Sequence, residues 1–231
     1  MRILSTMGLA GVLQAFAPEF EAAQGVSLDT TLLPTVKLLE RIHQGERGDL
    51  AILTADGVDE LVADGVLQSR TDLARSFVGL AVRAGAPHPE IGTAEDFVAT
   101  LLAARSVVVS QAGASGIFMA GLLRRLGIEE AMREKMIVLA SGYTASLVAD
   151  GRAEIAIQQV SELMVVDGVE IVGRLPAELG GQTMFSAAPF RTADDPRTAL
   201  ALAHALADPV RAPLYRRCGL EHAGMTAPNR S

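Results

Sequence analysis

The chemistry-bearing residues of this chain gather in short segments between apolar runs. They are Ser5-Thr6-Met7-Gly8, Pro34-Thr35-Val36-Lys37, Thr54-Ala55-Asp56-Gly57, Gln111-Ala112-Gly113-Ala114-Ser115-Gly116, Ser141-Gly142-Tyr143-Thr144 and Gln159-Val160-Ser161-Glu162. All are rich in Gly, Ser, Thr or Gln, and most lack acids. Placed at helix N-termini, such turns offer free backbone N–H groups and hydroxyls, which is the chemistry of an anion site. A Ser or Thr at one such turn taken alone is a helix cap. Six converging turns favour a ligand.

Gly113-Ala114-Ser115-Gly116 is not a P-loop, because no Lys-Ser/Thr follows its glycines, and it lacks the third glycine of a dinucleotide fingerprint. A small anion held by backbone amides and Ser115 is expected instead. Lys37 would add a point charge, and so would Arg75 beside Ser76. Gln158 and Gln159 end an alternating run, so one of them points inward, where an amide suits a carboxylate or hydroxyl. The candidate ligand-binding residues are therefore Ser5, Thr6, Met7, Gly8, Thr35, Val36, Lys37, Thr54, Ser76, Gly113, Ala114, Ser115, Gly116, Gln158 and Gln159. Lys37 and Glu162 are the candidate general bases.

Positioning these turns takes alternating strands and helices. Short strand patterns at 2–6, 27–33, 49–54, 76–82, 106–110, 136–139 and 154–158 alternate with helical periodicities at 9–24, 35–44, 56–64, 94–104, 116–126, 144–150 and 161–165. Strands at 169–176 and 183–189 and helices at 196–206 and 209–217 close the chain. This alternation predicts an α/β protein with parallel sheets, whose ligands sit beyond the carboxyl ends of the strands.

Composition limits the classes of partner. The chain has 231 residues, 49% of them hydrophobic, and a net charge of -7. That balance argues against nucleic acid. No apolar stretch reaches the roughly 18 residues of a membrane span. Cys218 is the sole cysteine, and His43, His88, His204 and His222 are scattered, so neither a disulfide nor a zinc site is expected. No metal and no cofactor are called for. MRILSTMGLAG lacks a signal-peptide apolar region, so a cytoplasmic location is expected and a transporter partner is not, unless a leader has been removed.

Several segments together resemble the periplasmic molybdate-binding-protein family, which has the type II solute-binding fold. They are ILSTMGLAGVLQAF, KLLERIHQGERGDLAILTADGVDELVADGVL, LARSFVGLAV, LRRLGI, GRAEIAIQQVSEL, VEIVGRLPAEL and LADPVRAPLYRRCGL. The resemblance implies a two-lobe α/β fold with the ligand in an interlobe cleft. Lobe one would be residues 1–79 plus 179–231 and lobe two residues 80–178, with crossover strands near 78–82 and 154–158. In molybdate binders the first two turns each supply a serine hydroxyl. Here the nearest positions are Gly8 and Thr35-Val36, with Ser5 and Thr6 displaced, which points away from molybdate.

LLPTVKLLERI, LARSFVGLAVRAGAP-x-PEI, the GASG turn and IQQVSEL are similar to an aconitate-isomerase-like branch of that fold. This second resemblance implies a polycarboxylate ligand and a cofactor-free proton shift. Three functions are thus expected: a carboxylate-binding protein, a proton-shifting isomerase, or the oxyanion-binding component of an ABC transporter.

Overall fold

The computed structural model describes residues 1–224; residues 225–231 of the expected first lobe lie outside them. The described chain divides into two compact units, residues 1–76 with 183–224, and residues 77–182.

In unit 1, β1 (Arg2–Thr6) leads through a 3-10 turn, Met7–Leu9, into α1 (Ala10–Gln24). There follow β2 (Asp29–Leu33), α2 (Thr35–His43), β3 (Leu50–Thr54) and α3 (Ala55–Ala63). β1 pairs in parallel with β2 and with β3, and Ser5 stands opposite both Leu32 and Ile52. This register brings the turns after the three strands to one edge of the sheet. Strand alternation sends successive residues to opposite faces. Ile3 and Ile52 pack with Val12, Phe16 and Phe20 of α1, whereas Leu4 and Leu53 pack with Leu38 and Ile42 of α2 and Val58 and Leu61 of α3.

β4 (Thr71–Arg83) carries the chain from unit 1 into unit 2. It starts five residues before the expected Ser76. Polar Thr71, Asp72 and Arg75 gave that stretch no apolar run, but Asp72 accepts a hydrogen bond from Ser186 Oγ (2.7 Å) and Arg75 lies 4.0 Å from Glu221.

Unit 2 continues with α4 (Ala94–Ala103), β5 (Val107–Ser110), α5 (Ala114–Arg125), α6 (Glu129–Met132), β6 (Met136–Leu139), α7 (Thr144–Ala149), β7 (Ile155–Gln159), α8 (Val160–Leu163) and β8 (Val169–Arg174). β5 pairs in parallel with β6 and β7, with Ser110 opposite Leu139 and Val109 opposite Ile157. Val107 and Val109 pack with Phe97, Leu101, Met119 and Leu122, and Val108 packs on the other face with Ala145 and Val148.

The chain re-enters unit 1 at the start of β9 (Gln182–Pro189) and ends with α9 (Pro196–Ala207), α10 (Ala212–Arg217) and the short β10 (Glu221–His222). The return passage is thus at Gln182/Thr183. The expected crossover at 154–158 falls in β7, which lies wholly within unit 2.

The sheets are mixed rather than parallel: β9 runs antiparallel to β3, β10 to β4, and both β7 and β8 to β4. The parallel expectation holds for strands followed by a crossover helix. It fails for β4 and β9, which pass between the units, and for β8 and β10.

Candidate functional site

In unit 1 the register gathers Thr6, Met7, Pro34, Thr35 and Thr54 at the ends of β1, β2 and β3. Ser5, Thr54 and Lys37 have their side-chain polar groups engaged within the protein. Ser5 is fully buried and its hydroxyl donates to the Thr6 carbonyl at 3.0 Å. Thr54 Oγ1 accepts from the Gly57 amide at 3.4 Å and caps α3. Lys37 is half exposed and forms an ion pair with Glu40, one helical turn on, at 2.8 Å. A solvated pair of this kind is worth at most about 1 kcal/mol. Lys37 therefore reads as a surface lysine rather than as a ligand cation or base.

Gly8 is set by packing. A Cβ there would lie 2.6 Å from the Phe185 ring, so no ligand approach is needed to explain it. Met7 opens the 3-10 turn after β1, and Val36 is the second residue of α2. Ser76, at the boundary, is fully buried. Thr35 differs from the rest. It opens α2, is buried, and its hydroxyl has no hydrogen-bond partner among the described residues.

In unit 2 the turns after β5 and β7 form a second set. Ser110 Oγ accepts from the Gly113 amide at 3.0 Å, closing the turn that opens α5. Gly113 and Gly116 are required by close approach. A Cβ on Gly113 would stand 2.8 Å from Ser110 Oγ, and one on Gly116 only 1.7 Å from the Ser110 carbonyl oxygen. The small residues of the GASG turn therefore seat the first turn of α5 directly on the end of β5. Ala114 is the first residue of that helix. Ser115 follows it, 1% exposed, with no hydrogen-bond partner for its hydroxyl among the described residues.

Gln158 is buried but spent on the protein. Its Oε1 accepts from Thr144 N (2.8 Å) and Thr144 Oγ1 (2.9 Å), and its Nε2 donates to the Gly142 carbonyl (3.3 Å). It anchors the start of α7 and also hydrogen-bonds Glu162. The expected ligand amide is thus a clamp between two turns. Gln159 is buried beside it.

Beyond β7, Ser161 is buried and its hydroxyl likewise lacks a partner among the described residues. Glu162, next in sequence, is buried, and desolvation pushes its carboxyl up from the ordinary 4.5 to about 7 against the lowering effect of Gln158. Burial, with the Glu162 charge adding to it, also raises the half-buried Tyr143 phenol. Ser161 was legible only as a member of its turn, one residue past a strand end. Thr144 and Tyr143 share that weak signal, and it does not separate a paired hydroxyl from an unpaired one.

His43 Nε2 lies 3.2 Å from Glu60 and 3.8 Å from Asp64, and the donor atoms of all three fall within 4.8 Å of one another. All three side chains are exposed, so the cluster reads as a solvated surface contact. Burial raises the Cys218 thiol, which disfavours its reactive thiolate. No helix among the described residues is long and apolar enough to cross a membrane.

Two α/β units that exchange the chain through β4 and β9, each with strand-to-helix turns bearing hydroxyls, are the architecture of type II periplasmic binding proteins. The chain belongs to the bacterial extracellular solute-binding protein family, whose model matches residues 1–221. It is 33% identical over 229 residues to an aconitate isomerase from a Pseudomonas species, a match covering 96% of this chain and 87% of that protein. Its fold is similar to that of the periplasmic molybdate-binding protein of Azotobacter vinelandii, with a TM-score of 0.78, 15% identity, and coverage of 95% of this chain and 98% of that one. It is also similar to the sulfate-binding protein SubI of Mycobacterium tuberculosis, with a TM-score of 0.74, 15% identity, and coverage of 97% and 87%. At such identities the solved structures speak to the fold alone.

Proposed function

We propose that the protein binds a small organic anion, a carboxylate or polycarboxylate, through the strand-to-helix turns of unit 2 that carry Ser115 and Ser161. The observation that carries this reading is the pair of buried hydroxyls in unit 2, on Ser115 and Ser161, with no partner among the described residues. Leaving such a group unsatisfied costs about 1–3 kcal/mol each. Both lie just past the ends of strands, β5 and β7, where N–H groups favour negative charge. With Lys37 paired to Glu40, hydroxyls and backbone amides are the donors proposed for the ligand. Small-molecule recognition also suits a chain of net charge -7 better than nucleic acid does. Binders of sulfate and molybdate among proteins of this fold are consistent with an anion.

A second reading, a cofactor-free isomerase, is favoured by Glu162 and by the aconitate isomerase relative. A buried carboxyl that titrates near 7 is matched to proton transfer at neutral pH. Ionised, it could accept a proton from a carbon α to the bound carboxylate and return it to another carbon. Turn hydroxyls and amides would stabilise the developing enolate-like charge. A protonated Glu162 would instead donate a hydrogen bond to a bound carboxylate, so the same residue fits plain binding.

Proton NMR of the protein with cis-aconitate, trans-aconitate, citrate or molybdate in deuterated water separates these readings. Saturable binding of a carboxylate without conversion supports the binding protein. Interconversion of the aconitates, or deuterium uptake, establishes the isomerase. Binding of molybdate with no response to any carboxylate overturns the carboxylate assignment.

A further inference from the structure

Unit 2 holds a cavity of about 620 Å³ at the opposite end of its parallel strands from the turns just described. It is lined where β5 and β7 begin, by Arg105 and Glu154 among others, whereas Ser115 and Ser161 follow the points where those strands end. Four residues of β5 separate the two levels, about 13 Å at the usual strand rise.

Three arginines line this cavity, each from a different place in the chain. Arg83 ends β4, Arg105 precedes β5, and Arg152 precedes β7. Arg105 is neutralised: its Nε and backbone amide both donate to Glu154, at 3.2 and 2.7 Å. Arg83 and Arg152 form no ion pair among the described residues. In a chain with a net charge of -7, two uncompensated arginines on one concavity form a local field of the opposite sign.

Helix ends do not account for them. α4 and α7 both finish at the cavity, and carbonyls at those ends attract cations. Those carbonyls already have other donors. Thr100 O accepts from Ala104 N, Leu102 O from Lys135 Nζ, Val148 O from Gly151 N, and Leu147 O from Arg152 N. The remainder of the lining includes the apolar Val82 and Val148. The loop over the cavity is tethered, because Glu170 accepts from Gly85 N at 3.0 Å and pairs with His88 at 2.9 Å.

We propose that this cavity is a second binding site, for a phosphate monoester with an apolar body. Two free guanidiniums match a dianion, and their planar forks fit phosphate oxygens in pairs. The apolar walls take the organic part, and the volume falls in the range of small-molecule sites.

Phenyl phosphate is the probe, with phenol and inorganic phosphate as its two halves. Calorimetry is expected to give one saturable site for phenyl phosphate, with weaker binding of inorganic phosphate and none of phenol. Arg83→Ala and Arg152→Ala should each weaken it about tenfold or more. Arg152→Lys, which keeps the charge but not the fork, should recover only part. Glu154→Gln releases the Arg105 guanidinium and should tighten binding. Ser115→Ala should leave phenyl phosphate binding unchanged, so failure here is distinct from failure of the carboxylate reading. Absence of saturable binding by the native protein overturns the proposal. So does affinity that both arginine variants leave unaltered, or phenyl phosphate binding no tighter than inorganic phosphate.

Discussion

Ser115 and Glu162 are the residues on which the functional reading is most exposed to test. The Ser115 hydroxyl is buried without a partner among the described residues. Removing it therefore breaks no internal hydrogen bond. Ser115→Ala is expected to change stability by no more than about 0.5 kcal/mol, or to raise it. The same variant should lose about tenfold or more in carboxylate affinity, since a hydrogen bond to a charged group contributes about 1.5–3 kcal/mol. Paired chemical denaturation and calorimetry check both halves. A large stability loss with unchanged affinity would make Ser115 structural.

Glu162 makes a prediction with a definite sign. Its folded-state pKa, about 7, lies above the ordinary 4.5. Between those values the folded protein holds a proton that the unfolded chain has released. Stability therefore falls as pH rises through this window, and it levels off above about 7 once the buried carboxylate is ionised. The full penalty is of the order of 3 kcal/mol. Glu162→Gln should flatten that part of the pH–stability curve, as urea denaturation between pH 4 and 8 would reveal. An unchanged slope would assign the pH dependence elsewhere.

At the scale of elements, α5 contains an internal control. A Cβ on Gly116 would meet the Ser110 carbonyl oxygen at 1.7 Å, and a backbone atom cannot swing aside as a side chain can. Gly116→Ala must lift the first turn of α5 off β5, which costs more than the about 1–3 kcal/mol of ordinary overpacking. Gly121, further along the same helix, has nothing within 4 Å of the place a methyl group would take. Gly121→Ala should stabilise the protein by about 0.5–1 kcal/mol through helix propensity alone. Thermal melts of the two variants should move in opposite directions. At α4, Thr93 and Asp96 form a reciprocal capping box. Thr93→Ala should cost about 1 kcal/mol, and denaturant midpoints would register it.

For the whole molecule, ligand linkage is the available measure. A ligand that binds only the folded chain stabilises it by about 2.7 kcal/mol at a hundred times its Kd. A bound carboxylate should therefore raise the melting temperature with a logarithmic dependence on its concentration. Ser115→Ala should displace that dependence to higher concentrations while leaving the ligand-free melting temperature nearly unchanged. A shift of the ligand-free value alone would refute the linkage.

The sequence by itself determined the alternation of strands and helices, the apolar faces of α1 and α2, and the small polar turns. Each is a matter of period or local composition. Even the Lys37–Glu40 pair was within local reach, three residues apart on one helix. Tertiary structure decided which turn hydroxyls remain unpaired. Thr54 and Ser115 both stand at strand-to-helix turns, yet one caps its helix and the other is buried without a partner among the described residues. It also decided that Gln158 serves Thr144, fourteen residues away, and that Gly8 is fitted to Phe185. Strand direction was hidden too, because side-chain alternation is identical in parallel and antiparallel pairing, and only the placement of partner strands orients β4 and β9. Local sequence sets the donors and acceptors at each turn; the folded chain alone sets which of them meet.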